Sequence, residues 1–306
     1  MKESYHICYT SHGEVMFRDR EDYGVFLNLA ALRCYSTGSE LLVDAEMSTH
    51  VHLNVFTDCP MRFGSALRMS YTKYFNHKYG RKGRLGEHGI FLQRISGFQH
   101  QVVAMNYIFR NGLHHGAAAT AFGYSFCSVK EPFKEDIFGE TDRVTYTSRT
   151  EIASIFPEHA DFPDKYMLDY KGVILRSCFM ETRRVEQFYV TPRNFLFQMN
   201  RLTDDSWIRD QEQDKTGSPI RLGDIEHDAD ENAIARMLKN ESGRSFNKSA
   251  LTDLSLCELI DKELAIRHGA TSIYGLPETT RKRIAKELYH DRHLPMPQIK
   301  RCLALP

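Results

Sequence analysis

The stretch Met47-Ser48-Thr49-His50-Val51-His52-Leu53-Asn54-Val55-Phe56 constrains the fold more than any other part of the chain. Two histidines flank one apolar residue inside a run that otherwise reads as a buried strand. Side chains two apart in a strand share a face. His50 and His52 are therefore expected to project side by side, with Val51 turned to the apolar filling behind them. Two half-buried strand histidines can simply bond to their neighbours, yet two imidazoles on one rigid face also form a ready pair of metal ligands. A partner elsewhere in the chain decides between these readings.

Size and composition leave room for such a partner. With 306 residues, 42% hydrophobic and 26% charged, the chain reads as a globular protein of about two domains. No apolar run is long enough to span a membrane, and Met1 to His6 lacks the apolar core of a signal peptide. Seven cysteines are dispersed without a Cys-x-x-Cys pair, which fits a reducing cytoplasm rather than a zinc motif or disulfide framework.

Read in order, strand and helix patterns alternate. Residues 4 to 10 form a first strand by their β-branched and aromatic character. Residues 19 to 35 follow as a helix that Asp19 or Asp22 can cap. A strand from 41 to 46 runs into the His-x-His stretch. Cys59-Pro60 breaks it, and a long helix is expected over 61 to 79, with Arg68, Lys73 and Lys78 on its exposed sides. Residues 90 to 95 give another strand, and 100 to 113 another helix stopped by Asn111-Gly112. The order predicts an α+β arrangement of helices against a small sheet, closing near residue 130. Residues 131 to 232 read as a linker or insertion without a chemistry motif, with a short helix at 150 to 156 and an acidic loop at 204 to 232. Residues 233 to 306 read as helical, with segments at 233 to 238, 254 to 267, 281 to 289 and 298 to 303. The last pair has the look of a helix-turn-helix.

The net charge is zero, but its distribution is uneven. Between 60 and 115 stand Arg62, Arg68, Lys73, Lys78, Arg81, Lys82, Arg84, Arg94 and Arg110 against the single acid Glu87. The loop Tyr79-Gly80-Arg81-Lys82-Gly83-Arg84 interleaves glycine with cations, which suits close approach of backbone to phosphate. A nucleic-acid surface is one reading of this block, and an ordinary solvated helix face is the other.

Tyr107 and Asn111, four apart, share one face of their helix. Together with the His pair they have a chemical logic. A hard divalent cation held by two imidazoles and an amide oxygen can polarise a phosphodiester. A tyrosine hydroxyl, with an ordinary pKa of about 10, attacks poorly until a cation or base assists it.

This ordered set resembles the single-tyrosine HUH transposases, in particular the REP-associated tyrosine transposases of the transposase-17 type. The resemblance spans about residues 4 to 130. It is carried by Tyr5-His6, Met47-Ser48-Thr49-His50-Val51-His52-Leu53, Tyr71-Thr72-Lys73-Tyr74-Phe75-Asn76, Tyr79-Gly80-Arg81-Lys82-Gly83 and Tyr107-Ile108-Phe109-Arg110-Asn111. It implies a ferredoxin-like or RRM-like antiparallel sheet with helices on it, followed by the helical C-terminal region. It implies Tyr107 as nucleophile and His50, His52 and Asn111 as ligands of Mg2+ or Mn2+. The expected activity is cleavage and rejoining of single-stranded DNA through a 5′-phosphotyrosine, on hairpin-type ends gripped by Arg68, Lys73, Lys78, Arg81, Lys82 and Arg84. The expected setting is a cytoplasmic monomer or homodimer. Rivals are a relaxase or replication initiator with the same chemistry, and a non-cleaving DNA-binding regulator on the same scaffold. His6, His100, His114 and His115 are expected to be surface or cap residues. Two departures stand out: the family often has Met-Pro-Asn where this chain has Met47-Ser48-Thr49, and Pro where it has Gly112.

Overall fold

The computed structural model describes residues 1–11, 13–86, 89–139, 142, 156, 162–200 and 251–306. The expected helices at 150 to 156 and 233 to 238, the acidic loop and the boundary at 232 lie wholly or almost wholly outside these residues.

Four antiparallel strands, β1 (Glu3–Thr10), β2 (Glu40–Glu46), β3 (His50–Thr57) and β4 (Phe91–Ile95), form one sheet in the order β2-β3-β1-β4. Helix α1 (Arg20–Thr37) joins β1 to β2, and α2 (Pro60–Tyr79) joins β3 to β4. This is the α+β arrangement that the sequence pattern predicts, in the ferredoxin-like order that the resemblance implies.

The local chemistry explains the boundaries. Asp19 and Asp22 cap α1 reciprocally, each carboxylate accepting the other's backbone N–H at 3.0 and 3.2 Å. Gly38, at φ 61°, ends α1, and Gly80, at φ 65°, ends α2; both adopt the left-handed conformation that a side chain disfavours. Pro60 opens α2, where its missing N–H has no intrahelical partner to lose.

Strand alternation then sorts the side chains. Val51, Leu53 and Val55 pack with Ile7, Phe26, Phe63, Leu67, Tyr71 and Phe75 under α1 and α2. The opposite face carries His50, His52 and Asn54, and it receives α3 (Phe98–Phe109) and the single turn α4 (Asn111–His114). Helix α2 therefore lies across the sheet from the histidines. A bulge between Leu41 and Val43 shifts the β2 register.

After the short α5 (Lys134–Phe138), residues 162–200 wrap the molecule. Asn28 donates to Gly172 O (3.0 Å) and accepts from Ile174 N–H (2.8 Å), and Glu181 N–H donates to Leu41 O (2.9 Å). Helices α6 (Thr182–Tyr189) and α7 (Pro192–Met199) bury Val185, Tyr189, Phe195 and Met199 against α3.

The C-terminal helices are α8 (Asp253–Leu259), which runs through a π-turn (Ile260–Leu264) into α9 (Ala265–Arg267), then α10 (Glu278–Arg292) and α11 (Met296–Cys302). They close a third core around Leu256, Ile260, Ile284, Leu288 and Ile299. Arg18, fully buried, ties that core to the sheet domain. Its guanidinium donates to both Asp261 oxygens (2.6 and 3.1 Å) and to Cys302 O (2.9 Å). Among the described residues no helix is long and apolar enough to cross a membrane.

Candidate active site

On the α3 face, β3 and α3 converge. His52 is 1% exposed, and its ring meets Tyr107 edge-on with centroids 5.4 Å apart. The His50 ring lies beside it at 5.0 Å, with its Nε2 3.3 Å from Asn111 Oδ1. The four predicted site residues His50, His52, Tyr107 and Asn111 are thus brought together. One detail differs from expectation. Tyr107 and Asn111 do not share a continuous helix: α3 ends at Phe109, Arg110 intervenes at φ −95° and ψ 4°, and Asn111 opens α4. The break still leaves both side chains against the histidines.

The supports come from several elements. Gln101 Nε2 donates to Asn54 Oδ1, pinning α3 to β3. Tyr189 OH donates to Asn106 Oδ1 (2.8 Å), next to the site tyrosine, so the wrapping segment braces the helix that carries it. Thr49 Oγ1 lies 3.2 Å from His50 Nδ1 and can orient that ring. Ser48 Oγ donates to Asp253 Oδ2 (2.7 Å), and Asp253 also receives Arg301 and Gln298. The unusual Ser48-Thr49 pair thus docks the C-terminal helices with one hydroxyl and contacts a site histidine with the other. Gly112 has a comparable reason. A Cβ there would sit 2.4 Å from Tyr124 Cγ, whose hydroxyl is anchored on Glu46 O at 2.6 Å.

Sequence reasoning missed further members. His6, expected at the surface, is 1% exposed, and its Nε2 lies 3.0 Å from His52 Nδ1. Burial pushes its pKa down to about 4. The pKa of His52 is also lowered, first by burial and then by the charges of His50, His6, His115 and His114. His114 stacks on Tyr107 (5.5 Å), while His115, exposed and capping α4 as expected, also meets the His50 ring (4.8 Å). His100 too is buried, at 5% exposure, on α3. The signal for His6 was its place in β1, but only the β1–β3 register, with Cys8 opposite His52, puts the two rings within reach.

The donor chemistry fits a divalent cation in composition. His52 Nε2 is buried without a hydrogen-bond partner, and His50 Nε2 and Asn111 Oδ1 already face one another. The third donor is an amide oxygen. Among the described residues no three His, Cys, Asp or Glu side chains form a cation-holding group.

The basic set divides. Arg68 was expected on the exposed side of α2, but it is 5% exposed and donates to Leu85 O (2.9 Å) and Gly86 O (2.8 Å), closing the loop after α2. Lys78 Nζ is surrounded by Asp19, Glu21 and Asp22 at 2.8–2.9 Å. The Arg81 guanidinium pairs with Glu14 and donates to Asn76 Oδ1. Lys73, Lys82 and Arg84 are the exposed members.

No protein-family model matches the chain, and no curated protein matches it. Among solved structures, a REP-associated tyrosine transposase bound to a REP hairpin is similar at 15% identity and a TM-score of 0.37. That likeness covers 48% of this chain and 91% of the other.

Proposed function

We propose that this chain is a divalent-metal-dependent DNA strand transferase, cleaving and rejoining single-stranded DNA at hairpin-type ends through a 5′-phosphotyrosine on Tyr107. The observation that carries the reading is the meeting of Tyr107, His50, His52 and Asn111 on one sheet face, with the unpartnered His52 Nε2 buried among them. His50, His52 and Asn111 would hold Mg2+ or Mn2+, which when bound supplies charge neutralisation at the scissile phosphodiester.

The chain's own part is nucleophilic. Tyr107 Oη, losing its proton, attacks phosphorus as the bond to the 3′ oxygen breaks, and that oxygen leaves with a proton as a 3′ hydroxyl. The phosphotyrosine preserves the energy of the broken bond, so a 3′ hydroxyl can reverse the step without ATP. Asn106, held by Tyr189, keeps α3 in register so that Tyr107 is positioned before substrate arrives. Phosphate contacts fall to Lys73, Lys82 and Arg84, while Arg68, Lys78 and Arg81 serve the fold.

The test is incubation of the full chain with Mn2+ or Mg2+ and labelled single-stranded DNA bearing a hairpin, read on a denaturing gel. Wild type is expected to form a covalent adduct that disappears with chelator and in Tyr107→Phe. An adduct that persists in Tyr107→Phe removes the nucleophile assignment. DNA binding without any adduct favours the non-cleaving regulator.

A further inference from the structure

We infer that His6 is a positioning residue for His52: it accepts the His52 Nδ1 hydrogen and leaves the Nε2 lone pair of His52 directed into the cluster with His50 and Asn111. The consequence for metal binding rests on the proposed function, whereas the tautomer does not.

The two rings lie on neighbouring strands, nearly parallel at 16° and 5.1 Å between centroids. Each is 1% exposed, so no solvent hydrogen bond replaces the one between them. The 3.0 Å contact of His6 Nε2 with His52 Nδ1 holds one hydrogen, and two arrangements are open. If His6 donates, His52 carries its own hydrogen on Nε2, an atom buried with no acceptor in range. A buried donor left unmet is costly, and such an Nε2 cannot act as a ligand. If His52 donates, the atom left without a partner is an acceptor, the form that a cation takes. Phe91 packs edge-on against His6 at 6.1 Å, which limits the ring's freedom to turn its other nitrogen toward His52. Outer partners of this kind orient ligating histidines. None of the four predicted site residues supplies this role, and β1 brings it from the other side of β3.

The experiment is a long-range 1H–15N correlation of histidine-labelled, metal-free full chain, followed by Mn2+ titration. The wild-type spectrum is expected to show His52 with a protonated Nδ1 and a bare Nε2. The opposite pattern overturns the inference, whatever the DNA chemistry proves to be. His6→Phe keeps ring volume and removes the acceptor. It should shift His52 toward the Nε2-protonated form and weaken Mn2+ binding by about 10–100-fold. His6→Gln, whose Oε1 can accept in the same place, should restore most of that loss. An unchanged His52 tautomer and unchanged Mn2+ affinity in His6→Phe overturn the positioning role. If His6→Phe fails to fold, the wild-type tautomer and His6→Gln still decide. Wild type that binds no Mn2+ while showing the expected tautomer sinks the metal-dependent function and leaves the His6–His52 assignment standing.

Discussion

The two faces of the sheet use the same strands for opposite ends. Under α1 and α2, β3 contributes Val51, Leu53 and Val55, all fully buried in an aromatic-rich core. One residue out of step, the same strand offers His50, His52 and Asn54 to α3. The first face gains free energy from apolar burial. The second buries imidazole and amide groups, at least one of them with an unmet atom, and so spends stability for a preorganised site. A strand that sorts its residues by period two can carry both duties because α3 covers His52 and Asn54 on the polar face while leaving His50 partly exposed.

Adjacent substitutions should separate the faces most sharply. Leu53→Ala is expected to lose about 2–5 kcal/mol, as buried leucines do, measured by urea denaturation. His52→Leu should lose less than Leu53→Ala, since removing its unmet Nε2 offsets the loss of the His6 partner that it strands, while the covalent DNA adduct disappears. If His52→Leu unfolds as readily as Leu53→Ala, the polar face is structural and the contrast fails.

Next comes the turn that delivers Asn111. Gly112→Ala puts a methyl within 2.4 Å of the anchored Tyr124 ring, so either α4 or Tyr124 must move. A loss of about 1–3 kcal/mol is expected for such overpacking, with weaker Mn2+ binding because Asn111 shifts with it. Adding Tyr124→Ala to Gly112→Ala should recover part of both. Additive losses in the double variant would show that the two positions do not conflict.

This turn also shows where the sequence stops being informative. Spacing alone places His50 beside His52, because i,i+2 in a strand is a local rule, whereas Tyr107 and Asn111 meet across a helix break at Arg110 that their i,i+4 spacing does not announce. Caps at Asp19 and Gly38 and the break at Pro60 are equally local. What failed was everything set by tertiary register. His6 joins the site through β1–β3 pairing across 46 residues. Arg68 turns inward because the loop after α2 folds back over it, with Gly86 so close to Thr10 O that a Cβ would lie 2.1 Å away. Helix α2 is amphipathic in either placement, so its sequence could not say that it packs opposite the histidines. The part of the wrapping segment before α6 has no periodicity to announce it, since Asn28 and Asp44 hold it through hydrogen bonds and an ion pair.

The apolar face has one ionic corner. Asp44 and Glu46 end β2 on that side, and both are fully buried with one guanidinium, Arg176, between them. Glu46 also faces Tyr9 and Tyr124, and neither of its carboxylate oxygens has a hydrogen-bond donor. Burial and then Asp44 raise its pKa well above 4.5, with Arg176 offsetting only part. As pH rises past 4.5 the unfolded chain releases this proton while the folded chain keeps it, so stability falls over that interval. Glu46→Gln is expected to gain about 1 kcal/mol at neutral pH and progressively less toward pH 5. Equal gains at both pH values would mean that the carboxyl is not held protonated.

The smallest effects belong to the lysines outside both faces, and they test whether the basic block serves fold or ligand. Lys78 sits among Asp19, Glu21 and Asp22, and Asp22 is itself wholly buried, where Tyr74 and Tyr79 also donate to it. Removing Lys78 leaves that carboxylate with less compensation, so Lys78→Ala should cost stability and leave the salt dependence of DNA binding unchanged. Lys73 and Lys82 project from the surface. Lys73→Ala and Lys82→Ala should each stay within about 0.5 kcal/mol of wild type while lowering the log–log salt slope of hairpin binding by about 1. The reverse pattern, a flat slope for the exposed pair and a reduced one for Lys78, would put the DNA backbone against α1 and the start of its cap instead.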